Sequence, residues 1–139
     1  MAGGRKDSHA TPLYSGTDRG IDMHDSGERQ HFDTGAMRDT TTGKGRFDLL
    51  SPEVLFRLAR WTEEGAQKYS DRNWEKGMPI SRCYDSAMRH LVKYLAGWDD
   101  EDHLAAVVWN VMAIMHFERY KPELQDLPLR SEKPCRTGE

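Results

Sequence analysis

The stretch "LAAVVWNVMAIMHF", residues 104–117, constrains the fold more than any other. Read at helical spacing it is apolar nearly all round. A helix of that kind must be covered on most sides, by its own chain or by a second subunit. Asn110 interrupts the run, and a buried Asn left without a partner costs about 1–3 kcal/mol. His103 lies seven residues earlier on the same face, so His103 and Asn110 read as a pair. The acidic segment 99–102 suits the positive end of a helix dipole, which predicts a helix over 101–120.

Two more helices are expected before it. Ser51 as N-cap, Pro52 in the first turn and Glu53 beside it open one over 51–69. Val54, Leu55, Leu58, Ala59, Trp61, Ala66 and Tyr69 give it an apolar stripe. The second, over 81–96, starts with Ser81 as N-cap and ends at Gly97. Its stripe is Tyr84, Ala87, Met88, Leu91, Tyr94 and Leu95, with His90 at the edge. Asp85 and Arg89 are four apart on its polar side. Nothing alternates with period two. The expected fold is all-α, a small bundle of three main helices.

Composition divides the chain. Residues 1–45 hold eight of the twelve glycines and few aliphatics, too little apolar surface to offset chain entropy. Residues 1–36 read as a flexible arm, 37–120 as the domain and 121–139, with Pro122, Pro128 and Pro134, as an irregular tail. A core of about seventy residues is marginal alone, so a homo-oligomer is expected to complete it.

A net charge of −3 excludes a general duplex nucleic-acid binder. No apolar run of eighteen residues and no signal-peptide pattern occur, so the expected location is the cytoplasm, with no membrane partner. Cys83 and Cys135 do not make a disulfide framework, and Cys83 reads as a small buried hydrophobe. There is no P-loop, G-x-S-x-G, CxxC pair, HExxH or zinc-deaminase signature.

What remains is carboxylates and cations on short helices. Glu63, Glu64, Asp85 and the Asp99–Asp102 cluster can meet if the helices pack together, and hard oxygen ligands suit Mg²⁺ or Mn²⁺. The loop "KYSDRNWEKG", 68–77, is denser in donors than a connector needs. Lys68, Arg72 and Lys76 can neutralise phosphates, Asp71 and Asn73 can read base or sugar edges, and Trp74 can cover a base. Lys44 and Arg46, beside Gly43 and Gly45, can close such a pocket, and Arg89 can act as a phosphate fork. Trp61, Trp98 and Trp109 read as core.

Four ordered segments carry a resemblance: "TGAMRDTTTGKGRFDLLSPE", "EEGAQKYSDRNWEKG", "SAMRHLVKYLAG" and "HLAAVVWNVMAIM". Over about 34–118 they resemble the phage-encoded dATP/dGTP diphosphohydrolase N-terminal domain family. The resemblance implies relation to MazG-like all-α nucleotide pyrophosphohydrolases. Those enzymes oligomerise and hold Mg²⁺ or Mn²⁺ on carboxylates of neighbouring helices. It implies Glu64, Asp85 and His103 in catalysis, Glu63, Glu64, Asp85 and Asp102 at the metal, and His90 and Asn110 among the nucleotide contacts. The chain departs from the MazG pattern: Gln67 follows Glu64 by three, which breaks E-x-x-E, and Val107 and Asn110 stand where E-x-x-D would. Two functions follow as expectations. One is metal-dependent hydrolysis of purine deoxynucleoside triphosphates to monophosphate and pyrophosphate. The other is a non-catalytic oligomer that sequesters a signalling nucleotide of host defence.

Overall fold

α3, His103–Tyr120, is the centre of the helical bundle, and its buried positions explain why. His103, Ala106, Asn110, Ala113 and Phe117 recur at spacings of three and four, a single stripe down one face. α2, Ile80–Leu95, answers with Ile80, Cys83, Ala87 and His90 at the same alternation. Alanines at 87, 106 and 113 let the two backbones approach. The six-residue link after Ala96 makes them antiparallel neighbours. Ile80, Cys83, Ala113 and Phe117 form the closed core, with Trp74, Met78, Trp109, Ile114, Leu124 and Leu127 packed around it. α1, Pro52–Tyr69, also packs on α3 but buries no residue fully.

The computed structural model describes residues 25–131, which form two compact units divided between Leu49 and Leu50. The expected boundary at 36/37 lies inside the first unit. Residues 1–24 of the expected arm, and 132–139 of the tail with Cys135, lie outside the described residues. The first unit carries a short antiparallel hairpin, β1 (Arg29–His31) with β2 (Met37–Asp39), where no strand was expected. Arg29 pairs with Asp39 and His31 with Met37. Polar closures hold it: Arg29 forks onto Asp25, and Asp39 takes both Ser26 and Lys44.

The helical unit follows the sequence reading with instructive shifts. Gly97, at φ 77°, closes α2 with a Schellman turn. Its N–H reaches the Tyr94 carbonyl at 3.0 Å, and Trp98 N–H reaches Lys93 at 3.1 Å. Ser81 is not the N-cap of α2. The helix starts one residue earlier, after Pro79, and Ser81 N–H donates to Asp126 Oδ1 at 2.8 Å. A carboxylate from the tail therefore caps the helix from outside. The tail is correspondingly more ordered than expected: a 3-10 turn at Pro122–Leu124 and a one-turn helix α4, Pro128–Ser131, follow α3. Gly77 is required by this closure, because at φ 99° a Cβ there would lie 2.7 Å from Leu124 Cδ1.

Within one chain the all-round apolar character of α3 is only half satisfied. Val108, Val111 and Met115 form a second stripe that stays exposed, 65% at Met115. On α2, Met88, Leu91, Val92 and Leu95 are exposed as well. Trp98, expected in the core, is 55% exposed and lies under the Lys93 ammonium at 5.3 Å. Among the described residues no helix is long and apolar enough to cross a membrane.

Candidate functional site

α1 and α2 both pack on α3 and touch each other little, and residues of all three line a cleft of about 720 Å³. That is the size of a small-molecule site. α1 supplies Trp61, Glu64, Lys68 and Tyr69; the following loop supplies Arg72, Asn73 and Trp74; α2 supplies Arg82, Asp85, Arg89 and His90; α3 supplies Trp109 and Asn110. Helical spacing does the gathering, since 82, 85 and 89 share one face of α2 and 61, 64 and 68 one face of α1.

The charges in the cleft differ in how committed they are. Arg89 is paired with Asp85 one turn away, and Arg72 holds Glu75 at 2.6 Å. Lys68 and Arg82 have no carboxylate partner among the described residues, although Lys68 lies over the Tyr69 ring at 5.2 Å. Glu64 likewise takes no ion pair or hydrogen bond there, and it lines a second, smaller hollow with Arg57 and Arg60. Two free cations and a free carboxylate thus face one cavity. Ser70 and Arg72 hold the loop at φ 101° and 57°, a region non-glycine residues rarely occupy. Backbone of this kind clusters at ligand sites.

The expected metal carboxylates do not assemble. Asp102 is fully engaged elsewhere: its two oxygens receive Arg57 Nε at 2.8 Å and Nη2 at 2.6 Å, and Oδ1 also caps α3 through Ala105 N–H at 3.0 Å. The guanidinium holds its carboxyl at a pKa of about 2. Asp85 is spent on Arg89, and Glu63 lines neither cavity. Among the described residues the one group of three or more His, Cys, Asp or Glu close enough to share an ion is His90, Glu101 and His103. A magnesium site built from Glu63, Glu64, Asp85 and Asp102 therefore does not fit this donor arrangement.

His103 and Asn110 share a buried face as expected but do not bond to each other. Asn110 Nδ2 donates to the Ala106 carbonyl at 2.8 Å and to Ser86 at 3.3 Å. His103 instead meets His90, Nδ1 to Nδ1 at 3.0 Å, and sets its Nε2 2.9 Å from Asp100. Burial pushes the His90 pKa down, against the opposing pull of Glu101, so the ring is neutral at pH 7. Trp61 stands edge-on to His90 at 5.7 Å. Trp74 is half-buried, 4.8 Å from the His116 ring and 5.9 Å from Trp109, so it forms a wall of the cleft anchored in the core. Asp71 does not line the cleft. Lys44 pairs with Asp39 at 2.5 Å, and Arg46 forks onto Asp48, both inside the first unit. Cys83 is buried and its thiol is pushed up in pKa, which leaves it inert.

A family described as dATP/dGTP diphosphohydrolase, N-terminal, matches residues 34–127, more than half of the chain. The chain belongs to that family. The match takes in all three long helices and every residue of the cleft. No curated protein matches the chain, and no solved structure does.

Sequence reasoning missed Arg82 and Arg57, and it took Glu101 only as one member of the Asp99–Asp102 cluster. Arg82 had a signal, since it stands three before Asp85 and seven before Arg89 on the same helical face. Glu101 stands inside an acidic run that reads equally as a dipole cap or as part of a carboxylate cluster, and no local rule separates its four members. Arg57 had no signal, because its partner is 45 positions away.

Proposed function

We propose that this protein binds a purine deoxynucleoside triphosphate in the cleft between α1 and α2 and hydrolyses it to the monophosphate and pyrophosphate. The observation that carries the reading is the meeting of uncommitted Lys68 and Arg82 with uncommitted Glu64 in one aromatic-walled cavity. The family description, dATP/dGTP diphosphohydrolase, supports the substrate class and the reaction. Lys68 and Arg82 bind phosphate oxygens, with Arg72 and Arg89 able to exchange their carboxylates for phosphate. Trp61, Tyr69 and Trp109 offer flat apolar walls to the base and sugar. Glu64 accepts a proton from a water whose oxygen attacks the α-phosphorus. The bond between that phosphorus and the bridging oxygen breaks, and pyrophosphate leaves with its charge met by the cations. The bare stripe of Val108, Val111 and Met115 supports a homo-oligomer as the working form.

One observation favours a second reading. Glu63, Glu64, Asp85 and Asp102 do not converge on an ion, so a binding protein that sequesters a nucleotide without hydrolysing it needs no further change to this cleft. The test is pyrophosphate release across the dNTPs and NTPs, beside equilibrium binding of the same ligands, for wild type, Glu64→Gln and Arg82→Ala. Turnover lost in Glu64→Gln with binding retained supports hydrolysis. Binding without turnover in wild type moves the function to sequestration. Neither binding nor turnover refutes both.

A further inference from the structure

At the end of the cleft two imidazoles and a carboxylate face one another. His90 Nδ1 and His103 Nδ1 are 3.0 Å apart, and Glu101 Oε1 lies 3.9 Å from each. Three donors bound tetrahedrally at about 2.0–2.1 Å stand roughly 3.3–3.5 Å from one another, so these separations straddle what an ion needs. We propose that His90, Glu101 and His103 bind a divalent transition-metal ion of the Zn²⁺ class.

A second arrangement around the trio points the same way. Asp100 accepts the Nε2–H of His103 at 2.9 Å, which leaves the His103 Nδ1 lone pair directed at His90 and Glu101. A carboxylate behind a histidine is the usual outer partner of a metal-bound imidazole, where it fixes the tautomer and raises basicity. Both rings are buried, His103 to 3% exposure and His90 to 9%, so they are held rather than free to swing. With Nε2 of His103 protonated, the free protein keeps the Nδ1 pair together by a proton on His90 Nδ1. Ion binding requires only that His90 carry that proton on Nε2 instead, with no net proton lost. Lys93 Nζ stands 3.3 Å from Glu101 Oε1 and supplies the positive charge in the free protein. Its long stem lets it move away when an ion takes that place.

The donors select the ion. Imidazole nitrogens suit Zn²⁺, Fe²⁺, Co²⁺ and Ni²⁺, whereas Mg²⁺ wants oxygen and water. Three protein ligands leave a position open. His90 and Glu101 both line the cleft, so that position faces the substrate. An ion there polarises a phosphate oxygen or a water, a role that rests on the nucleotide reading, whereas the binding of the ion does not.

The experiment is a titration of chelator-treated protein, without nucleotide, with Zn²⁺ followed by calorimetry and with Co²⁺ followed by visible absorption. Wild type should bind one ion per chain with a Co²⁺ spectrum containing nitrogen ligands, and excess Mg²⁺ should not displace it. Glu101→Gln, at a partly exposed position that leaves the fold intact, should lose at least tenfold in affinity. Asp100→Asn should lose about 10–100-fold. Lys93→Ala should bind more tightly than wild type. His90→Asn should abolish the Co²⁺ spectrum while keeping the wild-type far-UV circular dichroism. No stoichiometric binding by wild type, or affinity unchanged in both Glu101→Gln and His90→Asn, overturns the proposal. Nucleotide binding measured separately in chelator distinguishes the two failures. Ion binding without nucleotide binding leaves the metal site standing and removes the substrate, and the reverse removes the metal alone.

Discussion

Asp102 is the residue on which a metal-ligand reading and a structural reading make opposite predictions. Its carboxylate caps α3 through Ala105 N–H and forks onto Arg57. Removing an Asp cap costs about 1 kcal/mol. The fork is about one third exposed on each side, so screening limits it to about 0.5 kcal/mol. Asp102→Ala should therefore lose about 1.5 kcal/mol, the sum of the two. Asn caps as well as Asp but carries no charge, so Asp102→Asn should lose only about 0.5 kcal/mol. For a unit of this size about 1 kcal/mol moves the midpoint by about 4–8 °C. The expected drops are about 6–12 °C for Asp102→Ala and about 2–4 °C for Asp102→Asn. Thermal denaturation by circular dichroism, with the double variant Arg57→Ala/Asp102→Asn closing the cycle, reads these differences. An Asp102→Asn midpoint as low as that of Asp102→Ala would refute the cap. An unchanged midpoint in Asp102→Ala, together with lost ion binding in Asp102→Asn, would return Asp102 to the metal.

Three further outcomes follow from particular contacts. The Lys44 ammonium and the Ser26 hydroxyl hold Asp39 at a pKa of about 2, so its contribution to the hairpin is present above about pH 4 and is lost as pH falls towards 2. A carboxyl NMR titration of Asp39 should show that low midpoint, Lys44→Ala should raise it, and an equal midpoint in both would refute the pair. Ser70→Gly relieves a φ of 101° and should raise stability by about 1 kcal/mol in urea unfolding, with a loss of stability counting against the strained loop. Val111→Glu should shift a light-scattering mass from a multiple of 16.0 kDa down to a single chain, and a wild type already at 16.0 kDa would remove the oligomer.

The helices were legible because their burial obeys a period. Ala106, Asn110, Ala113 and Phe117 repeat at three and four, and such a pattern survives whatever packs against it. The hairpin was not legible because three-residue strands that bury no apolar side chain leave no alternation to read. Ser81 misled for a related reason. Its own hydroxyl suits a cap, but Asp126 reaches it from 45 residues away, and no local rule contains that partner.

The site shows the same division at finer scale. Helical spacing was enough to bring Glu64 with Lys68, and Asp85 with Arg89, onto single faces. It could not say that α1 and α2 would both pack on α3 and bring those faces to one cavity. In the acidic run 99–102 composition is no guide at all, since four carboxylates look alike. Geometry separates three of them. Asp102 is turned to the helix end and Arg57, Asp100 to the back of His103, and Glu101 to the two Nδ1 atoms. Once Asp102 is taken as the cap, the stripe that buries His103 also carries Asn110, Ala113 and Phe117, and His90 arrives opposite it through the matching stripe of α2. The pairing of the two histidines is thus a consequence of core packing. Whatever chemistry they perform is built on the same three-and-four spacing that holds the helical unit together.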